Sequence, residues 1–110
     1  MAIDDLGEPG APELVAAVGG AALDGLTLDA CGHVYVMDQK NSRLYRVRLD
    51  GAGAAVGEPV LLAEFPSNVA NAQFGGGDGF DDHTLYVAGN PGDVYTVAVA
   101  VPGAAIATVL

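Results

Sequence analysis

Two stretches decide the fold of this chain, HVYVMDQKNSRLYRVRLDGAG at residues 33–53 and TLYVAGNPGDVYTVAVAVPG at residues 84–103. When they are aligned, Val-Tyr-Val falls on Leu-Tyr-Val, and Tyr35 matches Tyr86 at a spacing of about 50 residues. A Leu-Tyr pair then matches a Val-Tyr pair at nearly the same spacing. A repeat of about 40 to 50 residues with several short strands is typical of the blades of a β-propeller. The sequence therefore predicts two consecutive blades.

Alternating apolar and polar residues, rich in Val, Tyr and Leu, predict the strands within each repeat. The predicted strands are Gly25–Asp29, His33–Asp38, Arg43–Leu49 and Val60–Phe65 in the first unit, and Asn71–Phe74, Thr84–Ala88, Asp93–Val99 and Ala105–Leu110 in the second. Turns rich in Gly, Asn and Pro separate them, and no segment has a helical period. The predicted fold class is all-β, with two four-stranded antiparallel blades of a propeller expected to have six.

The predicted organisation has four parts: a flexible lead-in at 1–13, the outer strand of a preceding blade at 14–20, blade one at 21–66 and C-terminal blade two at 67–110. The outer-strand prediction rests on the apolar run Leu14–Val18, which precedes blade one as Leu61–Phe65 precedes blade two. Propellers close at about four to eight blades, so two blades leave two faces open. The expected partners are other blades, from a longer chain or from copies of this one, and three copies would make six.

The composition limits the classes of partner. Fourteen acids against four Lys and Arg give a formal net charge of −10, which disfavours nucleic acid and anionic membranes. All four basic residues fall between Lys40 and Arg48. They are interpreted either as one solvated outer strand bridged to acidic neighbours or as a basic interaction patch. The 16 Gly and the absence of Trp favour closely packed sheets over a bulky helical core.

Neither a targeting segment nor a disulfide is predicted. The acidic N-terminal sequence does not resemble a signal peptide, and no apolar run is long enough to span a membrane, so the sequence assigns no compartment. Cys31 is the single cysteine, which leaves no partner for an intrachain disulfide. It is interpreted as a loop or buried thiol, and the alternative is a catalytic thiol served by His33.

Both units carry motifs of a known family. The first, ALDGLTLDACGHVYVMDQKNSRLYRV at 22–47, resembles the Asp-Gly-led blade motif of the senescence-marker-protein, gluconolactonase and luciferin-regenerating-enzyme family. The second, NVANAQFGGGDGFDDHTLYVAGNPGDVYTVAVAVPG at 68–103, resembles that family's last blade in its Phe-Gly-Gly, Leu-Tyr-Val and Val-Pro-Gly elements. Propellers built of NHL repeats share a similar pattern and are the second choice.

The resemblance implies a six-bladed, metal-dependent lactone hydrolase, with a divalent cation such as Ca²⁺ or Zn²⁺ at the mouth of the channel. Of the family's ligands only the Asp of the Asp-Gly motif has a counterpart, Asp24, and Leu23 stands where the family has Pro. Because Ca²⁺ takes about six to eight oxygens, this chain alone is expected to bind no cofactor and to have no catalytic residue. In the alternative interpretation Asp24 is a turn residue. The alternative function is a non-enzymatic scaffold or a ligand- or protein-binding module.

Other polar residues support weaker hypotheses. The loop GGGDGFDDH at 75–83 is interpreted as a solvated insertion or as a weak cation site, since it lacks the spacing of a helix–loop–helix calcium site. His33 and His83 stand at the entrance to the second strand of their units and are predicted to cap it by bonding a turn carbonyl. Ser42 and Ser67 lie in turns without the context of a catalytic triad.

Overall fold

The fold is given by a computed structural model, which describes residues 10–76, 79 and 81–104. Within these residues the chain forms two antiparallel sheets and no helix, so the predicted all-β class is confirmed. The first sheet has the order β1-β2-β3-β4 and the second has the order β5-β6-β7. The strands are β1 Leu23–Leu28, β2 Val34–Asp38, β3 Arg43–Val47, β4 Val60–Glu64, β5 Asn68–Phe74, β6 Thr84–Asn90 and β7 Val94–Ala98.

The repeat predicted from sequence is confirmed by the register of the strands. Tyr35 lies on the second strand of the first sheet opposite Thr27, and Tyr86 lies on the second strand of the second sheet opposite Gln73. In the next rung, Val36 pairs with Tyr45 just as Val87 pairs with Tyr95. Matching residues of the two units therefore occupy matching positions of their sheets.

The core lies between the two sheets, and each sheet contributes one face to it. From the first sheet, Tyr35, Met37 and Leu44 are fully buried, and from the second, Leu85 and Val87 are. The ring of Tyr35 meets the ring of Phe74 edge to face, with centroids 5.4 Å apart. Strands β1 and β5 lie next to each other, so the first strands of the two units are neighbours.

A β-bulge interrupts β1. Leu23 pairs with Asp38, but the next paired residue, Leu26, faces Val36, which leaves Asp24 and Gly25 in the irregular stretch. Gly25 is required there because the side-chain oxygen of Asn71, on β5, lies where a Cβ would be. Isolated glycine in a strand pattern is a common sign of such a bulge or close approach. The predicted strand start at Gly25 was therefore two residues late.

Two of the predicted strands are not seen in the described residues. Ala105–Leu110, the fourth strand expected in the second unit, lies outside the described residues, and the described part of that sheet has three strands. Leu14–Val18 forms no strand in this single chain. Its predicted pairing with a preceding blade stays a prediction.

The two sheets are also joined by the last described residues. The amide of Ala30 donates to the carbonyl of Pro102 at 2.8 Å, and the amide of Ala104 donates to the carbonyl of Leu28 at 3.1 Å. Between these bonds, Asp29 and Gly103 form an isolated antiparallel bridge. The described residues contain no helix that is long and apolar enough to cross a membrane.

Candidate functional site

Asp24, the predicted metal ligand, lies exposed in the bulge of β1. The residue that follows it, Gly25, is in close contact with the side-chain oxygen of Asn71. That oxygen accepts a hydrogen bond from the amide of Ala72 at 2.9 Å. The carboxylate of Asp24 and the side-chain amide of Asn71 therefore lie on β1 and β5, which are neighbouring strands. Two oxygen donors are too few for Ca²⁺, which takes about six to eight, so the ligand role of Asp24 stays a prediction.

The 75–83 loop holds a cluster of possible metal ligands, formed by Asp81, Asp82 and His83. Their ligand atoms all lie within 4.8 Å of one another. Among the described residues, no other three His, Cys, Asp or Glu side chains come together in this way. Nδ1 of His83 lies 2.7 Å from Oδ1 of Asp82 and 3.8 Å from Oδ1 of Asp81. All three are exposed, and exposed acidic groups often lie together without an ion. Asp78, the other acid of this loop, is outside the described residues.

The most highly connected carboxylate is Asp29, which sequence analysis treated only as the end of a strand. It is 1% exposed, and its Oδ1 accepts the amides of Cys31 at 2.9 Å and His33 at 3.0 Å. Its Oδ2 accepts the hydroxyl of Tyr35 at 2.9 Å. Because both oxygens are occupied and buried, Asp29 shapes the turn and is not placed to exchange protons with a substrate. In the sequence this role is marked only by an Asp at a tight turn six residues before a Tyr, and the inward direction of that Tyr is given by the structure alone.

The environment of Tyr35 shifts its titration. Burial raises the pKa of the Tyr35 phenol above its ordinary value of 10.0, and the hydrogen bond and charge of Asp29 raise it further. The guanidinium of Arg46, which lies opposite Tyr35 on β3, opposes this pKa shift in part. Tyr35 and Asp29 thus form a buried hydrogen-bonded pair at the turn.

The two histidines differ in their partners. Nδ1 of His33 accepts the amide of Leu49 at 3.0 Å, so this side chain does bond the backbone but through an N–H rather than the predicted carbonyl. His83 contacts Asp82 through its ring and donates its amide to Asp81 at 2.8 Å. Cys31 is exposed in the first turn, which agrees with the loop-thiol interpretation. It belongs to none of the metal-ligand groups among the described residues.

The basic cluster was placed on an outer strand, and this was wrong, because β3 lies between β2 and β4. Arg43 nevertheless bridges to an acidic neighbour, with its Nε 3.1 Å from Oε1 of Glu64. The hydrogen bond to Tyr45 and the charge of Glu64 raise the pKa of the Arg43 guanidinium. The bridged interpretation therefore fits Arg43.

The outward face of the first sheet, on the side away from the core, is apolar. Leu23, Leu26 and Leu28 of β1 are 50%, 59% and 43% exposed. A groove of about 240 Å³ runs over this face, and the N-terminal segment forms one wall. Its lining is almost entirely aliphatic: Val15, Ala16, Val18, Leu23, Leu26, Val34, Val36, Val47 and Leu49.

Comparison with known proteins returned no match of any kind. No family model matches the chain, and neither does any curated protein or solved structure. Asp24, the acidic loop and the apolar face are thus the features from which a function is argued.

Proposed function

We propose that this chain is a two-blade segment of a β-propeller of the gluconolactonase-like type, which docks against further blades and is not catalytic by itself. The single observation that carries the proposal is the outward face of the first sheet. It repeats, position by position, the face of the second sheet that is buried in the core. The unit that would cover it is therefore another blade.

The register gives this correspondence directly. Val34 and Val36 of β2 hold the positions that Leu85 and Val87 hold in β6, because each pair flanks the matching tyrosine. The other matched pairs, outward residue first, are Leu26 with Ala72, Leu28 with Phe74, Tyr45 with Tyr95 and Val47 with Val97. Leu85 and Val87 are fully buried by the neighbouring sheet. The outward face of the first sheet has the same chemistry and is only partly covered.

The energetic reason for docking follows from exposure. Monomeric proteins seldom expose apolar patches beyond about a few hundred Å². Covering such a face contributes on the order of 10 kcal/mol before ordering costs are subtracted. That is comparable to the whole stability of a small domain, about 5 to 15 kcal/mol. A single chain that leaves this face exposed to solvent is therefore poorly stabilised.

The mass of the species in solution tests the docking role. Light scattering of the purified chain at micromolar concentration is expected to show a closed oligomer, with a trimer the simplest route to six blades, or aggregation. A monomer that unfolds cooperatively at that concentration would contradict the proposal. Such a result would mean that the outward faces are adequately covered within one chain.

The second candidate function is metal-dependent lactone hydrolysis by a complete ring that contains these two blades. The observation that favours it is the exposure of Asp24 in the bulge, beside the glycine against which Asn71 packs. A cation bound there would polarise a lactone carbonyl and activate water. Asp24 would supply one oxygen ligand, and the others would come from further blades.

Hydrolysis of a simple aldonolactone separates the two functions. With Ca²⁺, Zn²⁺ or Mn²⁺ added, the chain alone is expected to give the rate of buffer, and metal analysis is expected to find no stoichiometric cation. Metal-dependent hydrolysis that Asp24→Ala abolishes would contradict the non-catalytic proposal, and Asp93→Ala is the matched control because Asp93 is also an exposed acid. Ligands shared between copies would then form the site.

A further inference from the structure

The N-terminal segment lies on the face that the proposed function assigns to another blade. Val15, Ala16 and Val18 line the groove over the first sheet, opposite Leu26 and Val36. The segment is anchored just after this stretch, where Asn41 donates to the carbonyl of Gly20 at 3.4 Å and Gln39 donates to that of Ala22 at 2.9 Å. The part that covers the face contributes side chains and forms no strand.

This cover is incomplete. Val15 is still 49% exposed, and Leu26, which lines the same groove, is 59% exposed. A short irregular segment leaves these aliphatic side chains half in water, whereas the matching face of the second sheet buries Leu85 and Val87 completely. Val36 and Val47, which also line the groove, are only 8% and 6% exposed, so the incomplete cover is confined to the β1 side of the groove, where Leu23 and Leu26 stay open.

We propose that residues 15–18 are a displaceable cover, and that a second copy of this chain replaces them by docking the outward face of its second sheet on the groove. The inference rests on the proposed function. The second copy is the occupant of the groove, and residues 15–18 compete with it. The occupant follows from the register. Tyr86 and Val94, on the outward face of the second sheet, match Tyr35 and Leu44, which lie on the face of the first sheet that packs against the core.

A second copy therefore presents to the groove the same kind of face that the chain already packs against its own second sheet. The contact is head to tail, so each copy leaves one groove and one outward face for the next, and repetition gives a ring where the rotation between copies closes and an open filament where it does not.

Three single substitutions that each add one Glu to the full chain test the inference. Val15→Glu places the charge in the cover, Leu14→Glu places it at a neighbouring position that is 85% exposed and outside the groove, and Val94→Glu places it on the outward face of the second sheet. Sedimentation velocity over a concentration series gives the concentration of half-association. Far-ultraviolet circular dichroism over the same concentration series checks that each variant keeps its β-structure.

Val15→Glu is expected to lower the concentration of half-association by about tenfold. The apolar contact of Val15 with the groove holds the cover in place, so its removal makes the cover easier to displace. Leu14→Glu is expected to leave it unchanged, and Val94→Glu is expected to raise it by about tenfold or more. If the parent chain associates but Val15→Glu behaves as Leu14→Glu does, the cover is wrong while the docking role stands. If Val94→Glu associates like the parent chain, the occupant is wrong. If neither the parent chain nor any variant associates, self-docking itself is wrong.

Discussion

The first turn of each unit joins matching strands, yet the two turns are built in opposite ways. In the first sheet the link from β1 to β2 is short and is organised around the buried carboxylate of Asp29. In the second sheet, Gly75 holds the matching position, and the link to β6 is longer and carries the exposed pair Asp81 and Asp82. Strand faces keep the repeat because pairing and core burial constrain them. Turns diverge because only one of them is tied to the core.

Gly75 shows why the second turn has no carboxylate of its own at that position. A Cβ on Gly75 would meet the carbonyl oxygen of Asp81. The ring of Tyr86 lies 3.0 Å from that Cβ position. The longer loop thus folds back over the site that Asp29 fills in the first unit. One turn is organised around a buried side chain, whereas in the other the backbone packs so closely on Gly75 that no side chain fits.

The largest expected effect comes from removing the carboxylate. Asp29→Ala leaves two amides and one hydroxyl without an acceptor in a buried site, which is expected to lower the free energy of unfolding by about 3 kcal/mol. Asp81→Ala, which removes an exposed acceptor from the second turn, is expected to cost under about 1 kcal/mol. Urea unfolding measures both. Equal losses would show that the two turns are not different in kind.

A smaller effect is expected from the hydroxyl that Asp29 accepts. Tyr35→Phe deletes one buried hydrogen bond and is expected to lower the free energy of unfolding by about 1.5 kcal/mol. The matched control is Tyr95→Phe. The hydroxyl of Tyr95 bonds the partly exposed Ser67 at 2.6 Å and the exposed Asp93 at 3.3 Å, where water can replace it, so its loss is expected to cost about half as much. A loss in Tyr35→Phe no larger than in the control would show that Asp29 is satisfied by its two amides alone.

The raised pKa of Tyr35 predicts a loss of stability at alkaline pH. The folded chain holds the phenolic proton more tightly than the unfolded chain, so the contribution of Tyr35 is complete below pH 10.0 and falls as the pH rises through the folded pKa. Urea midpoints are expected to fall more steeply above pH 10 in the parent chain than in Tyr35→Phe. Identical slopes would contradict the buried pair of Tyr35 with Asp29.

The smallest expected effect concerns the second turn of each unit. Ser42 adopts φ 55°, and the matching residue of the other unit is Gly92, with φ 143°. Ser42→Gly removes the cost of a left-handed non-glycine residue, offset in part by backbone entropy, and is expected to raise the free energy of unfolding by about 0.5 kcal/mol. Gly92→Ser is expected to lower it by about 1 kcal/mol or more. Thermal unfolding measures both variants. A melting temperature that shifts in the same direction for Ser42→Gly and Gly92→Ser would contradict the prediction.

The strands and their faces could be predicted from the sequence because alternation and the tyrosine spacing report directly on pairing and burial. The role of Asp29 could not, since a turn aspartate looks solvated until the inward direction of Tyr35 is known. The bulge at Asp24 depends on the close approach of Asn71 from another unit, which no local pattern encodes. Asp24 lies within β1, whereas the predicted first strand began one residue later at Gly25, and its role as a metal ligand stays a prediction.

The bridge between Asp29 and Gly103 has a consequence for the order of folding. Hairpins such as β2–β3 close short loops and are expected to form early, whereas a contact between the end of β1 and the last described residues closes a much longer loop and is expected to form later. Once formed, it holds the end of β1 to the last described residues, so neither sheet can fray from that side without releasing the other. We therefore expect the two repeats to unfold together, in a single cooperative transition.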